Sequence, residues 1–380
     1  MTAVEGITSF DPPRRVLMGP GPSDVHQRVL DAMARPTIGH LDPEFVRMMD
    51  ELKELLRYAF RTGNRVTFPV SGPGSVGMET CFVNLVEPGD EVLVCRNGAF
   101  GGRQLENVER TGGVPVVVDD DWGTAISLDR VEWAFDAHPD IRVVSFVHAE
   151  TSTGVGSNAE AIATIAHAHG ALVIADTVTS LGGIPVMVDE WGLDAVYSGS
   201  QKCLSCTPGL SPVTFGEAAL EKVRARKTKC QSWFMDLNLV LPYWEGGART
   251  YHHTAPINPL YGLHEALLML TEEGLEAAWR RHAELHDILV EGLEGLGLSM
   301  YVEAPYRLPQ LNLVSVPEGV DDAWVRVEAL KRYDLELGNG LGVLAGKVWR
   351  VGLMGTSCTQ ANVDLCLDAL AALVPEAAAK

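Results

Sequence analysis

The amino-acid sequence predicts an α/β protein: a large domain on a mostly parallel sheet of about seven strands, followed by a smaller C-terminal α+β domain. Three observations predict it. Between residues 66 and 215, short apolar runs alternate with stretches of helical spacing, the strand, turn, helix order of parallel sheets. After Pro256 the pattern changes to long helical stripes with a few strand-like runs between them. The chain has 380 residues, 46% hydrophobic and 21% charged, enough for a large core and for two domains rather than one. The expected division is an N-terminal arm over residues 1–22, a large domain over 23–258 and a small domain over 259–380.

Taken in order, the arm carries Pro12, Pro13, Pro20 and Pro22 with Gly19 and Gly21, which exclude a regular helix or central strand and leave the chain extended. Residues 25–33 and 43–60 then show apolar side chains at helical spacing, the second through Phe45, Met48, Met49, Leu52, Leu55, Leu56 and Ala59. Between these helices His40 sits in a turn-rich loop, where a histidine is either solvated or part of a site. The apolar runs 66–70, 91–95, 114–118, 142–147, 172–175, 184–188, 195–197 and 213–215 are the expected strands. A helix over 158–169 has Asn158 as its N-cap and Gly170 just past its end. Beyond 256, residues 260–271 and a stripe from Leu275 through Leu296 read as helices, as do 321–333 and 360–373. Residues 299–302, 311–316 and 348–353 read as strands.

Charge and composition exclude several classes of function. A net charge of −20 argues against a nucleic-acid partner, since phosphate backbones are bound by concentrated Lys and Arg. No run is apolar and long enough to cross a membrane, and the first 13 residues lack the apolar core of a secretory signal, so a cytoplasmic location is expected. Seven cysteines scattered over the chain fit reduced thiols rather than a disulfide framework.

Chemistry centres on Tyr197-Ser198-Gly199-Ser200-Gln201-Lys202, which puts a lysine among small residues at the end of an apolar run. Lysine carries a strongly hydrated charge, so in such a turn it either escapes to solvent or has a chemical task. An imine bond to an aldehyde cofactor suits it, because desolvation and nearby cations lower an amine's pKa. Asp176, at the end of the run 172–175, is presented where open α/β sheets bind ligands. A carboxylate that keeps a pyridine nitrogen protonated, paired with a lysine imine, is what pyridoxal phosphate requires. Gly72-Pro73-Gly74-Ser75-Val76-Gly77 matches G-x-G-x-x-G between a strand and a helix. Pro73 and the lack of an acid about twenty residues on weaken the dinucleotide reading, while a phosphate monoester still suits the free N–H groups. Cys203 and Cys206 form a lone C-x-x-C, weak as a redox or metal motif. His282 and His286 have zinc-pair spacing without the glutamate of H-E-x-x-H, so a solvated helix face is expected and no metal.

Taken together, the segments resemble one family. They are Gly19-Pro-Gly-Pro-Ser23, Val70-Ser-Gly-Pro-Gly74, Glu87-Pro-Gly-Asp-Glu91, Glu150-Thr-Ser-Thr-Gly-Val155, Asp176-Thr-Val-Thr-Ser-Leu-Gly182, Tyr197-Ser-Gly-Ser-Gln-Lys202, Tyr251-His-His-Thr254 and Arg350-Val-Gly-Leu353. In that order they resemble the alanine–glyoxylate and serine–pyruvate aminotransferases, class V of the fold-type I pyridoxal-phosphate enzymes. The resemblance runs from about residue 16 to 370.

The resemblance implies a fold-type I architecture, pyridoxal 5′-phosphate (PLP) as cofactor, small amino-acid and 2-oxo-acid substrates, and a homodimer with shared active sites. Lys202 would hold the cofactor as an imine and carry the proton between substrate and cofactor; Asp176 would pair with the pyridine nitrogen. Val178 and Phe100 would flank the ring, Thr151 would lie near its hydroxyl, and Gly74, Ser75 and Gln201 would hold the phosphate. Tyr251 and Thr254 would reach that phosphate from the neighbouring subunit, Arg350 would grip the substrate carboxylate, and His40 would lie close to the substrate. Pro73 and Ser75 stand where many relatives have Ser and His. Tyr251 stands where ureidoglycine-using relatives tend to carry Asn, which ranks ureidoglycine–glyoxylate transfer below alanine or serine as donor. The competing readings are a NAD-dependent oxidoreductase built on the glycine loop and a same-fold lyase such as a cysteine desulfurase.

Overall fold

The computed structural model describes residues 7–245 and 249–379, so residues 1–6 of the expected arm lie outside the described residues. The strands, in chain order, are β1 (Val16–Met18), β2 (Val66–Ser71), β3 (Glu91–Arg96), β4 (Val114–Asp119) and β5 (Ile141–Val147). They continue with β6 (Ala149–Glu150), β7 (Val155–Gly156), β8 (Leu172–Asp176), β9 (Ala195–Tyr197) and β10 (Leu210–Phe215). The C-terminal part adds β11 (Leu311–Ser315), β12 (Leu335–Asn339) and β13 (Val348–Gly352).

Seven strands form the large sheet in the order β2-β10-β9-β8-β5-β3-β4. Strands β4, β3, β5, β8 and β9 pair in parallel, and β10 runs antiparallel to both of its neighbours. This is the mostly parallel seven-stranded sheet expected from the sequence. Helices on both faces bury strands such as β5, β8 and β9 along almost their whole length, which is why they read as unbroken apolar runs. Two expected strands are absent. The run 184–188 makes only a bridge from Ile184 to Leu181, because Pro185 lacks a ladder N–H, and it then winds into the short helix Val188–Trp191. In 299–302 only Met300 forms a bridge, to Val314.

Helix boundaries follow local chemistry. Asp42 caps Pro43–Phe60 by accepting from the Glu44 N–H, and proline stands at its start. Asn158 caps Ala159–Ala168 through the Ala161 N–H. The helix Gly74–Leu85 differs: Pro73 precedes it and no side chain caps it, so its first N–H groups stay available.

The small sheet has the order β1-β12-β13-β11, so the arm contributes the strand β1 to the C-terminal body. Two main hydrophobic cores result. The first runs from Val29 to Ala278, and the second joins Met18 to side chains from Leu289 to Ala377. The cores therefore part within the helix Leu275–Gly295, and the helix Ile257–Glu273, which contains the expected boundary at 258, packs into the first core.

Candidate active site

The carboxyl ends of β8 and β9 and the start of the helix Gly74–Leu85 surround a cavity of about 180 Å³. It is lined by Pro73, Gly74, Ser75, Met78, Phe100, Arg103, Val147, Thr151, Asp176, Val178, Tyr197, Gln201 and Lys202. Eight residues singled out from the sequence thus meet at one place: Gly74, Ser75, Phe100, Thr151, Asp176, Val178, Gln201 and Lys202.

Lys202 lies in the turn after β9 and is 9% exposed. The residue just after the arm holds this turn: the Ser23 N–H donates to the Gln201 carbonyl at 2.9 Å and the Ser23 hydroxyl to the Lys202 carbonyl at 2.8 Å. Lys202 Nζ donates to the Pro20 carbonyl. A side chain at Gly21 would put Cβ 2.6 Å from Lys202 Nζ, and φ there is +102°, so only glycine lets the arm cover the amine. Burial first, then the Arg350 charge, lowers the Lys202 pKa to about 8.

Asp176 ends β8 and is 3% exposed. Burial pushes its carboxyl up to about 7, while the Val178 N–H and the Tyr197 hydroxyl donate to the charged form. Tyr197 in turn accepts from Gln104 Nε2 at 3.0 Å, a buried chain of polar groups behind the carboxylate. Sequence reasoning missed Tyr197 and Gln104, the first because it reads as the last apolar residue of a strand. Phe100 is the second residue of the helix Ala99–Arg110, and the Arg103 guanidinium lies 4.6 Å from its ring centroid.

Arg350 reaches this region from β13 of the small sheet. It is 7% exposed, donates from Nε to the Asn339 carbonyl at 2.7 Å and from Nη1 to the Thr151 carbonyl at 3.2 Å. Burial lowers its pKa, opposed by the Glu150 charge.

His40, Tyr251 and Thr254 do not line this cavity. His40 and Tyr251 have ring centroids 5.3 Å apart in a separate aromatic group with Tyr243 and His253. Tyr251 is 58% exposed, and Thr254 is exposed too.

The competing motifs do not assemble into sites. Burial raises the thiols of Cys203 and Cys206 to about 12 and 11, which keeps them protonated at neutral pH. The expected solvated face at His282 and His286 is corrected. His282 is fully buried and joins Ala278 to the Gly355 N–H, and His286 bonds Asn312. The glycine turn after β2 follows an edge strand that pairs antiparallel with β10, not the parallel βαβ unit of a dinucleotide site. Among the described residues no helix is long and apolar enough to cross a membrane.

Residues 16–343 match the model of the family described as aminotransferase class-V. The chain is similar to alanine–glyoxylate aminotransferase of Drosophila melanogaster, 41% identical over 362 residues that cover 94% of this chain and 92% of that protein. It is similar to (S)-ureidoglycine–glyoxylate transaminase of Bacillus subtilis, 35% identical with 95% and 91% covered. The crystal structure of alanine–glyoxylate aminotransferase from Nostoc sp. superposes with a TM-score of 0.95 at 45% identity, covering 97% of both chains. Family match and near-full-length similarities run through the sheet and the cavity just described, and the chain belongs to the class-V aminotransferases.

Proposed function

We propose that the chain moves an amino group from a small amino acid, alanine or serine, to glyoxylate or pyruvate, with PLP in the cavity around Lys202 and each site completed by a second copy of the chain. The observation that carries this reading is a buried amine and a buried carboxylate in one cavity, Lys202 and Asp176, with Arg350 beside them. The donor set fits PLP. The uncapped helix start at Gly74 and Ser75 offers N–H groups and the positive end of a dipole to a phosphate, and Gln201, whose side-chain NH₂ can donate, lines the same cavity. Asp176 suits a protonated ring nitrogen, which would favour its carboxylate form against burial. Phe100 and Val178 are the apolar walls for a flat ring.

When bound, PLP supplies an aldehyde to the lysine amine and an electron-withdrawing ring for charge released at the substrate Cα. The rest falls to the chain. With a pKa of about 8, Lys202 is partly unprotonated near neutral pH and can both attack a carbonyl carbon and take a proton at Nζ. Arg350 binds the substrate carboxylate through its planar fork and so points the Cα toward Lys202. The arm residues Pro20 and Gly21 cover the amine and exclude water from it. Tyr251 and Thr254, which do not line this chain's cavity, add hydroxyl donors to the phosphate of the partner's site, and His40 from the same group approaches the substrate there.

A spectrum and a substrate screen test the reading. Added PLP is expected to give a visible band that Lys202→Ala abolishes together with multiple turnover, and alanine or serine with glyoxylate or pyruvate is expected to give the highest kcat/KM. A protein that takes up no PLP, or a Lys202→Ala variant that turns over normally, sinks the proposal. Ureidoglycine as donor is a second reading, supported by the similarity to the Bacillus subtilis transaminase, and the same screen separates the two.

A further inference from the structure

Glu150 does not line the cavity, yet it is a fully buried carboxylate placed between the cofactor wall and the substrate arginine. Its two oxygens are shared out. Oε2 accepts from the backbone N–H of Phe100 at 3.1 Å and of Gly101 at 3.2 Å. Oε1 accepts from the Ser152 N–H at 3.1 Å and the Ser152 hydroxyl at 2.6 Å, and that hydroxyl accepts from the Ala99 N–H at 2.9 Å. The carboxylate thus closes the start of the helix Ala99–Arg110, where the dipole favours negative charge. A side chain at Gly98 would bring Cβ 2.4 Å from Glu150 Cγ, so the backbone leaves room for this one group.

The next residue in the chain carries the second connection. Arg350 donates to the carbonyl of Thr151, and the Glu150 charge favours the protonated guanidinium. One short turn therefore touches both the backbone that aims Phe100 and the group that aims Arg350. We propose that Glu150 is a positioning residue that sets the aromatic wall of the cofactor cavity and the substrate-binding arginine in one frame. The proposal rests on the PLP aminotransferase reading. A glutamine cannot replace Glu150, because only one of its ends accepts; its NH₂ would face either the Phe100 and Gly101 N–H groups or those of Ser152.

The test uses the PLP-loaded enzyme and two hydroxylamine ethers that attack bound PLP: aminooxyacetate, which has a carboxylate, and methoxyamine, which has none. In Glu150→Gln the visible circular dichroism of bound PLP is expected to change, because the wall at Phe100 moves. The ratio of the aminooxyacetate rate to the methoxyamine rate is expected to fall roughly tenfold, the weight of one hydrogen bond to a charged group. A purely structural role would slow both reagents alike and leave that ratio alone. A variant with wild-type dichroism or a wild-type ratio overturns the proposal. If Glu150→Gln does not fold, Ser152→Ala keeps the charge and removes only the hydroxyl that links Glu150 to the Ala99 N–H; it is expected to lower the ratio about threefold, and a wild-type ratio there overturns the proposal as well. A wild-type protein that takes up no PLP refutes the function instead, so the two failures are distinct.

Discussion

Lys202 and Asp176 sit in the same cavity, and burial moves them in opposite directions, the amine down to about 8 and the carboxyl up to about 7. Both shifts favour the neutral form of the group. For Asp176 this has a measurable sign. Between about pH 4, where the unfolded carboxyl loses its proton, and about pH 7, the native state binds more protons than the unfolded state, so its contribution to stability is lost as pH rises. Protein stripped of PLP should lose on the order of a few kcal/mol across this window relative to Asp176→Asn, measured by urea unfolding at pH 4.5 and 7.5. Parallel pH dependence in the two proteins would refute the buried-acid assignment. Arg350→Lys tests the other end of the site. A point ammonium cannot reproduce the planar grip, so kcat/KM for every carboxylate substrate should drop roughly ten- to a hundredfold, while an amine without a carboxylate is unaffected. Equal losses for both kinds of donor would remove Arg350 from the substrate site.

At the scale of elements, the proposed function puts the cofactor phosphate at the start of the helix Gly74–Leu85. It packs so closely on β9 and β10 that a Cβ at Gly77 would lie 2.0 Å from Ser211 Oγ and 3.1 Å from Tyr197 Cβ. Gly77→Ala must turn the Ser211 hydroxyl off the Ser198 carbonyl and press on the Cβ atoms of Ser211 and Tyr197, which is expected to shift the helix start relative to the cavity. The expected cost is about 1–3 kcal/mol in urea unfolding, together with weaker PLP binding in a titration. Gly102→Ala is the control, because no atom lies within 4 Å of a Cβ there; in the helix Ala99–Arg110 it should stabilise by about 0.5–1 kcal/mol and leave PLP affinity alone. If Gly77→Ala binds PLP as tightly as Gly102→Ala, the helix start is not the anion site.

For the whole molecule, the question is how the group around Tyr251 meets the chemistry. Trp233 is 62% exposed, Tyr251 58% and Leu41 48%, exposed apolar side chains around the His40–Tyr251 and Trp233–His252 ring pairs. If this surface is covered by a second copy and Tyr251 and Thr254 reach the partner's phosphate, PLP and the dimer stabilise each other by linkage. Tyr251→Phe combined with Thr254→Ala should then loosen PLP by orders of magnitude, at roughly 1.5–3 kcal/mol for each donor to a charged group, and weaken the dimer more when PLP is absent. PLP affinity and the dimer dissociation constant, each measured with and without the other saturated, check this. Undiminished PLP affinity in the double variant would show that the site is not shared.

By itself the sequence determined the fold class and the large sheet, and it singled out Lys202 and Asp176, which the structure brings into one cavity, for a local reason. Strands buried on both faces leave apolar runs, a cap such as Asn158 marks a helix start, and a lysine among small residues after a strand stands out against its neighbours. Pattern failed where a local rule was outweighed. The run 184–188 is apolar enough for a strand but contains Pro185, and β12, with Glu336 and Gly338 in five residues, is too polar to show. Only the tertiary structure decided which groups support the site. Lys202 meets Pro20 across 182 residues and Arg350 meets Thr151 across 199, and backbone carbonyls carry no signature in a sequence. Glu150, Tyr197 and His282 were visible as residue types but not as roles, because a buried polar side chain is defined by its partners, and those partners come together only when the chain folds.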